Sequence, residues 1–237
     1  MQSVLAMKRN FAFRVEYANP AWELIVKEIE TEFPNANVDA GKVVQTISDR
    51  FGLPVLRDGM THVRDIYVDT QSHYLLRHNL SFRLRRKLDN VYSGEGTRLT
   101  FKFPLEKHPE IFIREELKLK VEVHRFDEVV KFFSGLTEVF VNEPAIFQLA
   151  AEETSKEFDL GAEGGVLNVS YDRVKFRDPA DSGKIHTVNY LEIEDHGIGM
   201  EELVKVKDFL VEHYSLTPSA ESKYRYGLRA LSLLPPE

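Results

Sequence analysis

Hydrophobic and polar residues alternate with a period of two through much of this chain. Between positions 80 and 87, Leu80, Phe82 and Leu84 alternate with Ser81, Arg83, Arg85 and Lys87. Leu99, Phe101 and Phe103 alternate with Arg98, Thr100 and Lys102. Ile111, Ile113, Leu117 and Leu119 stand in one row, broken by Glu115, against Phe112, Arg114, Glu116, Lys118 and Lys120. Further on, Val174 and Phe176 oppose Arg173, Lys175 and Arg177, and Leu191 and Ile193 oppose Glu192 and Glu194. A strict period of two puts each set on one face of a strand. Strands are therefore predicted at 80–88, 97–103, 111–121, 166–177 and 185–195, the last two as a hairpin, with others at 11–17 and 62–69.

Other segments read as helices. Asn19 can cap a helix that has Pro20 in its first turn and ends at Phe33-Pro34. A second runs over 39–51 and stops at Gly52. Further helices are predicted at 127–133, 144–158 and 200–214, a short helical or turn segment at 71–78, and another in the tail at 219–231. Strands and helices interleave along the whole length, so residues 1–237 read as a single α+β domain.

Composition narrows the function. Hydrophobic residues form 43% of the 237, including sixteen Phe, enough for a sizeable core. The net charge of -7 argues against a nucleic-acid surface and requires any anion site to be a local cluster. There is no cysteine, which excludes disulfides, thiolate zinc sites and a Cys nucleophile. No stretch approaches a membrane span. The expectation is a soluble, cytoplasmic protein that uses neither membrane nor nucleic acid.

The charged rows carry the chemistry. One solvated face is ordinary for antiparallel strands. Here five strands repeat the pattern, and their charged rows are rich in cations although the chain is acidic. Like charges on neighbouring strands repel by up to about 1 kcal/mol per pair. An anion between them removes that repulsion, and Arg suits bidentate binding to phosphate oxygens. Glu192-x-Glu194 adds two carboxylates that can hold a hard cation such as Mg²⁺ or Mn²⁺. If helices cover the apolar rows from outside, the strands close into an antiparallel barrel with a charged interior.

These residues resemble the CYTH family, the triphosphate tunnel metalloenzymes. The resemblance follows the family's motif order. Arg64 to Thr70 is similar to its aromatic-x-Asp-Thr strand, and Leu80 to Arg85 to its Leu-Arg-x-Arg strand. Thr100-Phe101-Lys102, Arg114-Glu115-Glu116, Arg173, Glu192-Ile193-Glu194 and Ser222-Lys223-Tyr224 follow in order. The resemblance implies an eight-stranded antiparallel tunnel with helices packed outside. It implies Arg83, Arg85, Lys102, Arg114, Arg173 and Lys223 as phosphate ligands, with Lys102, Arg114 and Glu116 in catalysis. It implies Glu192 and Glu194 as ligands of Mg²⁺ or Mn²⁺.

The family's first strand carries Glu-x-Glu-x-Lys. The corresponding strand is placed at 12–18, where Glu16 alone is available as a third metal ligand. Metal-dependent hydrolysis of an inorganic, thiamine or nucleoside triphosphate is the leading expectation. A non-catalytic polyphosphate binder, motivated by the depleted first strand, and an adenylate cyclase are the alternatives.

Overall fold

The computed structural model describes residues 22–88, 97–121, 142–162 and 164–234. Eight strands form a closed barrel: β1 (Trp22–Pro34), β2 (Val55–Thr70), β3 (Ser81–Lys87), β4 (Thr97–Glu106), β5 (Phe112–Val121), β6 (Ala145–Ala162), β7 (Gly165–Arg177) and β8 (Ile185–His196). Their order round the barrel is β1-β5-β4-β3-β2-β6-β7-β8, and β8 pairs back to β1. Every pair is antiparallel. Closure leaves no sheet edge where the ladders run uninterrupted. The described helices are α1 (Ala40–Phe51), α2 (Tyr74–Arg77), α3 (Met200–Tyr214) and α4 (Lys223–Ala230).

Two expected helices are strands. Residues 22–34 form β1, although Asn19-Pro20 imitates a helix start. Ile29, Thr31 and Phe33 alternate with Glu28, Glu30 and Glu32, and only a strand can put three Glu at that spacing on one face. The Ala- and Glu-rich run at 145–162 is β6. It pairs with β2 on one side and β7 on the other, and that two-sided ladder overrides its helical propensity. The strand expected at 11–17 and the helix expected at 127–133 lie outside the described residues.

The apolar outer face of the wall packs under two helices. Ile29 and Phe33 of β1, Leu191 and Ile193 of β8, and Val169 of β7 meet Val43, Val44 and Ile47 of α1 and Leu203, Val206 and Leu210 of α3. Burying each such side chain is worth about 1.5–3 kcal/mol. Asp39 caps α1, accepting from the Lys42 N–H at 3.2 Å, and Gly52 ends it with φ 67°.

One end of the barrel is apolar inside. Leu149 and Ala151 of β6 share a face with Glu153, Val174 and Phe176 of β7 with Asp172, and Val188 and Tyr190 of β8 with Glu192. They pack against Tyr224, Tyr226 and Leu228 of α4, which seals this end. The helix approaches so closely that a Cβ on Gly227 would lie 2.5 Å from Leu149 Cδ2. The alternation on β7 was therefore legible, but its second half is inverted. Val174 and Phe176 face in, and Arg173 is exposed outside.

Candidate active site in the barrel interior

The rest of the interior is charged. β1 supplies Glu28, Glu30 and Glu32, each buried. Its neighbour β8 supplies Glu192 and Glu194, and the register sets Glu30 opposite Glu194 and Glu32 opposite Glu192. From the other strands come Arg83 and Arg85 (β3), Arg98 and Lys102 (β4), Arg114, Glu116 and Lys118 (β5), Glu153 (β6) and Asp172 (β7). Lys223, from the first turn of α4, reaches into the same space.

Carboxylates hold most of these cations. Arg114 Nε donates to Glu28 Oε2 at 2.7 Å, and its Nη2 donates to Glu30 Oε1. Lys102 Nζ lies 2.7 Å from Glu28 Oε1 and 2.8 Å from Glu116 Oε1, and Lys118 also pairs with Glu116. Arg85 forks onto Asp65 with two bonds of 2.8 Å, while Arg83 reaches the same carboxylate at 3.3 Å. Lys223 Nζ sits 3.0 Å from Glu153, 2.7 Å from Asp172 and 2.7 Å from Glu192.

These pairings set the protonation states. Burial acts to raise the Glu116 pKa, but Lys102 and Lys118 outweigh it and hold the group well below the usual carboxylate range. Burial works against the charge on Lys102, yet Glu116 and Glu28 push its pKa up. Glu32 is pushed up to about 7, chiefly by burial, with Lys223 and Lys102 only partly offsetting it. Burial likewise raises Glu192 well above its ordinary value despite Lys223.

Carboxyl groups outnumber basic groups here. Nine of them, Glu28, Glu30, Glu32, Glu116, Glu153, Glu157, Asp172, Glu192 and Glu194, line the cavity against seven cations. The β1–β8 register also sets two pairs of carboxyl groups directly opposite each other, an arrangement that is destabilising wherever both members are ionised. One oxygen from each of Glu28, Glu30 and Glu194 lies within 4.8 Å of the others. The buried Oε2 of Glu32 has no hydrogen-bond partner among the described residues. An all-oxygen, negatively charged set of this kind fits a hard divalent cation.

The interior thus gathers Arg83, Arg85, Lys102, Arg114, Glu116, Glu192, Glu194 and Lys223, all singled out in the sequence. It does not gather Arg173, whose place on the inner face is taken by Asp172. Glu16 lies outside the described residues. The interior carboxyl groups of the first described strand are instead Glu28, Glu30 and Glu32, which sequence reasoning misses by taking 19–33 for a helix. The spacing of two between these three Glu was the available signal.

The eight antiparallel strands thus enclose a charged interior in which acidic strands face a cationic wall. The CYTH domain model matches residues 24–227, and the chain belongs to that family. The match begins at β1, so Glu28-x-Glu30-x-Glu32 is its acidic first strand, with Glu32 where the pattern has Lys. No curated protein matches the chain by sequence. Among solved structures, it is similar to a Hippeastrum protein assigned as an adenylyl cyclase and reported to have a dominant triphosphatase activity. That pair shares 15% identity with a TM-score of 0.54, over 88% of this chain and 98% of the other. A Pyrococcus horikoshii protein gives 15% and 0.55 over 85% and 98%. An assigned adenylate cyclase from Bacillus halodurans gives 13% and 0.51 over 87% and 98%. At these identities the likeness establishes the shared fold.

Proposed function

We propose that this protein is a metal-dependent triphosphatase, cleaving a phosphoric anhydride bond of a triphosphate held in the barrel interior. Mg²⁺ or Mn²⁺ is the proposed cation, and a cytoplasmic setting fits the cysteine-free sequence. The reading is carried by one juxtaposition: Glu28, Glu30 and Glu194 converge beside Lys102 and Arg114 in a single buried space.

Arg83, Arg85, Lys102, Arg114 and Lys223 bind the phosphate oxygens. Guanidinium groups present paired donors to them, and the ammonium groups act as point charges. Glu28, Glu30 and Glu194 would hold the cation. Bound there, it supplies Lewis-acid charge and lowers the pKa of water. Lys102 and Arg114 stabilise negative charge on the transferring phosphoryl group. Glu116 is ionised and keeps Lys102 aimed at that group. Burial of Glu28, Glu30, Arg114, Glu116 and Lys223 limits their screening by bulk water.

The dominant triphosphatase activity of the Hippeastrum relative favours hydrolysis over cyclisation. The non-catalytic alternative is motivated by a first strand with Glu16 alone, whereas β1 carries Glu28 and Glu30 and departs from the family pattern at Glu32. The test is phosphate release from tripolyphosphate, thiamine triphosphate and ATP with Mg²⁺ or Mn²⁺. Chelation, or Glu28→Gln combined with Glu30→Gln, is expected to abolish it. Full turnover after both treatments would refute the mechanism.

A further inference from the structure

Beside the charged interior lies a second cavity of about 480 Å³. It lies between the start of β3, the β4–β5 connection and residues 220–225. Its boundary with the charged interior is shared: Ser81, Lys102, Arg114 and Ser222 line both spaces. Its character differs. Leu76, Leu80, Pro104, Pro109 and Phe112 form much of its wall. Leu76 and Leu80 are buried, so that part of the wall is fixed by the core. The charges at its rim have both signs, with Glu106 and Glu221 beside Lys107 and Arg225.

A chain of phosphates has no use for such a space. It gains nothing from apolar walls, and a rim of mixed sign does not draw further anionic charge. Cavities of about 300–1,000 Å³ with apolar lining and a few polar groups are those that hold small organic ligands. Lys102 and Arg114 stand where the two spaces join, so a ligand gripped there by its phosphates presents its other end to the chamber. Phe112 supplies an aromatic wall at that junction, with the Arg114 guanidinium carbon 4.7 Å from its ring centroid.

We propose that the substrate is an organic triphosphate whose planar aromatic group occupies this chamber while its phosphates lie between Lys102 and Arg114. This rests on the triphosphatase reading and adds a preference against inorganic triphosphate. The test is calorimetric binding, with Mg²⁺, of the methylene-bridged analogues of ATP and of tripolyphosphate, and of thiamine triphosphate. At least one organic ligand is expected to bind about tenfold or more tighter than the inorganic analogue, ~1.4 kcal/mol. Ala220 is an exposed residue on the chamber wall, so Ala220→Trp fills the space without disturbing the core. This variant is expected to erase the preference and leave inorganic binding within about twofold. Pro109→Trp, on the opposite side, is expected to do the same. Inorganic binding equal to or tighter than both organic ligands would overturn the chamber proposal while keeping the triphosphatase reading. So would equal weakening of all ligands by both variants. Absence of binding by every triphosphate would overturn both.

Discussion

Lys223 holds the buried carboxyl groups of Glu153 and Asp172 and the partly buried one of Glu192, and removing its charge exposes how the interior is balanced. In Lys223→Met the stem is kept in volume, but Glu153, Asp172 and Glu192 lose a cation at 2.7–3.0 Å. Breaking a buried ion pair by deleting one partner costs about 3–5 kcal/mol. At about 2–4 °C per kcal/mol for a chain of this size, Tm should fall by roughly 6–20 °C at pH 8. The loss should depend on pH in one direction. Burial already raises Asp172 and Glu192, and Lys223 is what opposes that rise. Without it their native pKa values climb further above the unfolded ones. Protonation then relieves the folded state, so the deficit shrinks as pH falls from 8 towards 5.5. Calorimetric melting of both proteins across that range measures it. A deficit below about 1 kcal/mol at pH 8, or one unchanged at pH 5.5, would refute the balance described for the interior.

Other outcomes follow from the same geometry. Arg83→Ala should weaken triphosphate binding at least about tenfold, as loss of a charged contact, while Arg173→Ala on the outer face stays within about twofold; a comparable loss from Arg173 would contradict its placement. Burial acts to raise the Glu153 pKa, but Lys223 and Arg85 prevail and hold it at about 2. Its contribution is present above an unfolded pKa of ~4.3 and is lost as pH falls towards the folded value, an effect of about 3 kcal/mol. Glu153→Gln should flatten acid unfolding between those limits, and an unaltered acid profile would count against the pairing. Gly227→Val drives a branched side chain into Leu149 and Phe176 and should cost about 1–3 kcal/mol in urea unfolding; an undiminished midpoint would mean α4 does not seal the barrel as described.

The cationic wall was legible because its strands are short, and their apolar partners Leu84, Leu99 and Phe101 stand in strict alternation with Arg83, Arg85 and Lys102. β1 was hidden because Asn19-Pro20 and Ile25, Ile29 and Phe33 also satisfy a helical repeat of four. Local propensity cannot rank the two readings; pairing with β5 and β8, far away in sequence, decides between them. β6 failed for the same reason, since Ala150 to Glu153 favours helix until β2 and β7 flank it. Arg173 was misplaced because alternation tells which residues share a face, not which face looks inward. On β7 the answer depends on α4, some fifty residues later, which makes part of the interior apolar.

The position of β1 between β5 and β8 also bears on how the molecule assembles. Glu32 meets Glu192 across the seam that closes the barrel, so the first described strand gains its second neighbour only when the eighth is in place. Pairings this distant in sequence slow folding, because chain entropy is lost before contacts compensate for it. The carboxylates of β1 and β8 are brought together by that same closure, whereas Arg83, Arg85 and Lys102 already meet in the local β3–β4 pairing. The cationic wall can therefore form early, and the facing carboxyl groups of β1 and β8 come together only with the complete barrel.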